Sequence, residues 1–184
     1  MISSTALPRF RASMVLATVG LAFALSACGN TDPVAVDGSD GTPYKVSAVA
    51  KFAAAQKVAN QETLKITVRN EEASRTIPDV AVVVRGLQRK LPAGDNGNGM
   101  IADRNRPIWI VDAPPAGGPT AFSDTWALGP LPAGEERTFT WKLTPVIAGD
   151  HEITWSVAGD LVEGGPVEAT GGDADGAIDV AVAR

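Results

Sequence analysis

RTFTWKLTPVIAGDHEITWSV, residues 137 to 157, decides the fold. Taken two at a time, Phe139, Trp141 and Leu143 fall on one side, and Thr138, Thr140 and Lys142 on the other. Further along, Ile153, Trp155 and Val157 alternate with Thr154 and Ser156. A helix repeats its apolar stripe every 3.6 residues, whereas a strand with one buried face repeats it every two. The stretch therefore holds two half-buried strands, with Trp141 and Trp155 in the core, placed to meet across it. His151, the single histidine of the chain, is read as a surface residue outside the inward set.

The same period runs outward in both directions. Tyr44, Val46, Ala48, Ala50 and Phe52 alternate with Lys45, Ser47, Val49 and Lys51. Leu64, Ile66 and Val68 follow, then Val80, Val82 and Val84, and Ile178, Val180 and Val182 close the chain. Weaker apolar stretches at 107–111 and 121–128 add one or two strands. Ala48 to Val58 is rich in alanine, and at most a turn of helix is expected near 53–58. Leu91-Pro92-Ala93-Gly94 and Leu131-Pro132-Ala133-Gly134 suit type I turns. The fold class is all-β: one antiparallel sandwich of seven to eight strands over residues 44–184.

TLKITVRNEEASRTIPDVAVVV (63–84) and LGPLPAGEERTFTWKLTPVIAGDHEITWSVAGD (128–160) resemble the immunoglobulin-like repeats of bacterial surface proteins. They are most similar to the cell-adhesion-related domain found in bacteria. The matching steps fall on Val68–Asn70, Ile77–Val80, Leu131–Trp141 and Pro145–Ile153. The resemblance implies an immunoglobulin-like sandwich serving as a spacer, adhesin or accessory module. It departs from the pattern at 86–126, where long connections are expected.

The N-terminus reads differently. Arg9 and Arg11 precede MVLATVGLAFAL, residues 14 to 25, and no acidic residue comes before Asp32. A dozen apolar or small residues are too few for a membrane-spanning helix, which needs roughly 20, and suit an export signal. Leu25-Ser26-Ala27-Cys28 resembles the lipobox of bacterial lipoproteins. That resemblance implies a diacylglyceryl group on the Cys28 thiol and cleavage before it, which removes residues 1–27. As the lone cysteine, Cys28 has no partner for an internal disulfide. Two acyl chains give stable anchoring where one does not. Residues 28–43, rich in Gly, Asp, Ser and Thr, form a flexible tether with a root-mean-square span of about 20 Å.

Charge and composition exclude several classes. Losing Arg9 and Arg11 leaves 14 basic residues against 21 acidic ones, so net charge moves from -5 to -7. An acidic domain repels nucleic acid, and no run of Lys or Arg offers a phosphate-tracking groove. One histidine cannot build a copper site of the two-histidine kind. No nucleophile elbow is present, and no catalytic, metal or cofactor residue is assigned. Glu71-Glu72 and Glu135-Glu136 read as solvated turn charge. Gly94–Asp103 and Gly171–Gly176 offer oxygen ligands, but their spacing misses the calcium-loop pattern. If Ile108 and Ile110 face inward, Trp109 faces out beside the long connections 86–106 and 112–124, and offers a contact to a partner.

The sequence thus predicts an exported, monomeric, non-catalytic module, lipid-anchored through Cys28 to the cell membrane or outer membrane. Its expected partners are an envelope protein or glycan. The alternative is an accessory subunit of an envelope enzyme or transporter.

Overall fold

The computed structural model describes residues 41–90, 102–117, 120–122, 124–161 and 165–184. Residues 1–40, with Leu25, Ser26, Ala27 and Cys28, lie outside the described residues, as do the Leu91–Gly94 turn and most of the 94–103 loop.

Alternation organises two five-stranded sheets. The first runs β11 (Val167–Ala169), β1 (Tyr44–Lys51), β3 (Glu62–Asn70), β9 (Glu136–Pro145), β7 (Trp109–Ala113). The second runs β2 (Ala55–Lys57), β12 (Asp175–Ala183), β10 (Gly149–Ala158), β4 (Ala81–Arg85), β8 (Thr125–Ala127). β5 (Gln88–Lys90) and β6 (Ala102–Pro107) form a separate hairpin. Strands β1, β3, β9 and β7 in one sheet, with β12, β10 and β4 in the other, give the four-and-three order of an immunoglobulin-type sandwich. The fold is an immunoglobulin-like, all-β sandwich.

The inward set matches the period read from the sequence. Leu64, Ile66, Val68, Phe139, Trp141 and Leu143 are buried from the first sheet. Val82, Val84, Ile153, Trp155, Val157, Val180 and Val182 meet them from the second. Each such side chain contributes roughly 1.5–3 kcal/mol by leaving water. Trp141 takes Trp126 as an edge-on neighbour at 5.3 Å and Phe139 as a stacked one at 6.0 Å. Trp155 instead covers its cross-strand partner Gly176, where an added Cβ would lie 3.0 Å from the indole.

Four expectations change. The described residues hold twelve strands, the additional four being β2, β5, β6 and β11. The sandwich is also not purely antiparallel, because β11 pairs parallel to β1 and β2 parallel to β12. Residues 53–58 form no helical turn: the chain crosses between the sheets there, and β2 lays its backbone against Ala181–Ala183. Nucleating a helix fixes several residues for one hydrogen bond, so so short a segment gains more from an existing strand. Finally, Gly134 has φ +74° and stands third in a turn closed from Glu135 N–H to Pro132 O at 3.2 Å. A positive φ at the third position suits type II, not the type I expected.

Candidate functional site

Trp109 does not face out. It is 1% exposed, while Ile110 beside it is 46% exposed, so the parity expected for this strand is inverted. Its indole N–H donates to Gln56 Oε1 at 2.9 Å. Gln56, also buried, donates from Nε2 to Ala53 O at 2.9 Å. His151 meets the Trp109 ring edge-on at 5.4 Å, and Phe52 packs at 6.2 Å. Trp109 is therefore a core residue and is not available as a partner contact. The physical reason is β2. By crossing between the sheets it brings Gln56 to the indole, so burying the N–H leaves no donor unpaired. His151 is corrected too. It lies on the inward side of β10, half-buried, with Nε2 3.1 Å from Ile147 O.

At Tyr44, where β1 begins, a polar knot holds the preceding residues. Arg75 donates to Thr42 O at 3.3 Å and Pro43 O at 2.7 Å, and its guanidinium lies 4.6 Å from the Tyr44 ring centre. It also bonds the Glu72 carboxylate, which accepts the Lys45 N–H at 3.1 Å. Arg75 first, then that N–H, holds the Glu72 carboxyl below its ordinary value. Glu71 accepts from Ser47 Oγ at 2.6 Å and pairs with Arg69 at 3.4 Å. Glu71 and Glu72 are thus structural acceptors, contrary to the solvated role expected of them. Asn70 anchors the loop: its side chain donates to Arg75 O and Leu131 O and accepts from the Glu72 N–H. The sequence marked the Val68–Asn70 step but not this knot, because its partners lie up to 61 residues apart.

The outer faces of the two sheets differ in charge. On the first stand Lys45, Lys51, Lys65, Arg69 and Lys142, against Asp112, Glu136 and Glu168. The register places Lys45 opposite Glu168 and Arg69 opposite Glu136. Lys51 and Lys65 instead face each other, with Lys142 one strand further on beside Thr63. On the second stand Asp150, Glu152, Asp175 and Asp179, against Lys57 and Arg85. Glu152 is directly opposite Asp179. A shallow depression of about 510 Å³ there is lined by Asp150, His151, Glu152, Asp179 and Ala181. Lysines scattered over 91 positions, from Lys51 to Lys142, are gathered by three neighbouring strands, which no sequence run could show.

Among the described residues, no group of three or more His, Cys, Asp or Glu is placed to hold a metal ion. No described helix is long and apolar enough to cross a membrane.

The class is thus an immunoglobulin-like sandwich with two oppositely charged outer faces. No protein-family model matches the chain, and no curated protein matches it. Among solved structures, it is similar to the CARDB domain of a Pyrococcus furiosus protein in complex with di-metal ions. Identity is 17% over 75% of this chain and 92% of that one, with a TM-score of 0.47. It is similar to native alpha-2-macroglobulin from Escherichia coli at 12% identity, over 77% of this chain and 17% of that one, with a TM-score of 0.48. It is similar also to a cohesin module of a Clostridium perfringens family 33 glycoside hydrolase at 8% identity. There the shares are 77% and 98%, and the TM-score is 0.47.

Proposed function

We propose that this chain is an exported lipoprotein that presents a non-catalytic immunoglobulin-like module for binding or spacing. The observation that carries the reading is Leu25-Ser26-Ala27-Cys28, with the lone cysteine at the lipidated position behind a basic, then apolar, leader. Cys28 bears the diacylglyceryl group and holds the protein at the cell membrane or outer membrane. Residues 28–43 span the gap to the sandwich. The knot around Arg75 supports this reading: by binding the Thr42 and Pro43 carbonyls it gives the tether one defined origin at an end of the sandwich. The outer faces are then presented to an envelope protein, a second copy of this chain included, or to a glycan. The test is Cys28→Ser in cells fed a fatty-acid analogue. Loss of labelling with release or mislocalisation is expected; equal labelling of variant and parent overturns the lipoprotein reading.

A further inference from the structure

We infer that the lysine face of one copy docks on the carboxylate face of a second copy of this chain. Lys51 and Lys65 are direct cross-strand partners, both exposed. At about 5 Å separation such like charges repel. Lys142 lies diagonally across the next strand pair, and the threonines Thr63, Thr138 and Thr140 fill the remaining positions. Asp112, the carboxylate of neighbouring β7, is taken up by Thr144 Oγ1 at 2.6 Å and Gln61 Nε2 at 3.0 Å. The mirror situation holds on the second sheet. Glu152 and Asp179 are direct partners, Asp150 lies two residues along β10, and Ala177 and Ala181 stand between.

Each face therefore carries a direct like-charge pair, offset on the second sheet only diagonally by Arg85 opposite Thr154, and each pair has the adjacent-strand spacing of about 4.8 Å. An anionic surface such as a membrane would answer the lysines and leave Glu152 and Asp179 as they are. A second copy answers both. The side chains between the charges are short, so two outer faces can approach as sandwich layers do, about 10 Å apart. The contact joins two different faces, so the docked pair keeps one free face of each sign and a row continues. The row runs across the sheets, whereas the tether leaves at a strand end. Copies stacked with strands aligned extend their tethers to one side. The contact itself needs no lipid; the anchor proposed above would concentrate the copies.

The test is sedimentation of the full chain carrying Cys28→Ser, in mild detergent, over a rising concentration series. The parent should associate progressively. Lys51→Glu with Lys65→Glu, and separately Glu152→Lys with Asp179→Lys, should each weaken association by roughly a hundredfold or more, since attraction becomes like-charge repulsion. An equimolar mixture of the two double variants should associate again, which a merely unfolded variant would not do. A parent that stays monomeric throughout, or either double variant associating as the parent does, overturns the proposal. So does a mixture that stays monomeric while each variant keeps the parent's melting profile. Because the chain carries no lipid here, none of these outcomes bears on Cys28.

Discussion

Trp141 and Trp109 sit on adjacent strands of one sheet, and both are buried, yet they are held in different ways. Trp141 lies in the middle of a ten-residue strand, in ring contact with Trp126 and Phe139, and its indole N–H has no hydrogen-bond partner. Trp109 begins a five-residue strand whose ladder to β9 shifts register between Val111 and Ala113, and its N–H is bonded to Gln56. The first is retained by packing alone, the second by packing and one donor–acceptor pair. A long strand fixes the parity of its side chains by repetition; a short edge strand takes its parity from whatever crosses over it.

The contrast can be broken most forcefully by removing both rings. Trp141→Ala and Trp109→Ala should each cost about 3–5 kcal/mol in urea melts, the range for emptying a large core site. If Trp109→Ala costs under about 0.5 kcal/mol, as surface changes do, Trp109 is not core and the contrast is gone. Phenylalanine sharpens it. Trp141→Phe loses only volume, whereas Trp109→Phe also strands Gln56 Oε1 in the interior, adding about 1–3 kcal/mol. Gln56→Met in the Trp109→Phe background should recover part of that difference, because it removes the stranded acceptor.

A smaller effect, again from a polar partner, is expected at Glu72. Its carboxyl is held below its ordinary value by Arg75, so its contribution is present above the unfolded value and is lost as pH falls through the folded one. Glu72→Gln should therefore melt earlier than the parent at neutral pH, and the gap should close in acid. A gap that widens in acid reverses the sign and removes the assignment. Smallest of all, Ile110→Thr should shift stability by no more than about 0.5 kcal/mol, since the Ile110 side chain stands exposed on the outer face of the sheet. A loss comparable to that of Trp109→Ala would put β7 back in the orientation first expected.

The six long alternating runs were legible because each repeats its signal over several residues: β1, β3, β4, β9, β10 and β12 are where the period of two places them. β2, β5 and β11 were not, since three residues cannot show a period. The parity of β7 failed for a related reason. Ile108, Trp109 and Ile110 are all apolar, so composition offers two registers, and only Gln56, 53 residues away, decides between them. The charged faces were hidden differently. Lys51, Lys65 and Lys142 look unremarkable in the chain because each sits among threonines or alanines on its own strand. Sheet order alone makes neighbours of them.

The Arg75 knot has a mechanical consequence. A pull on the chain ahead of Thr42, as the proposed tether would transmit it, reaches the sandwich at Tyr44, the start of β1, whose N–H is bonded to Pro166 O. A strand tugged outward from its end peels, and its ladder bonds yield one after another like a zip. Because Arg75 binds the Thr42 and Pro43 carbonyls, these bonds would take up such a load ahead of the ladder. Behind them, β1 is held on both sides, by β3 and by β11. The sandwich is gripped where a tether would tear it.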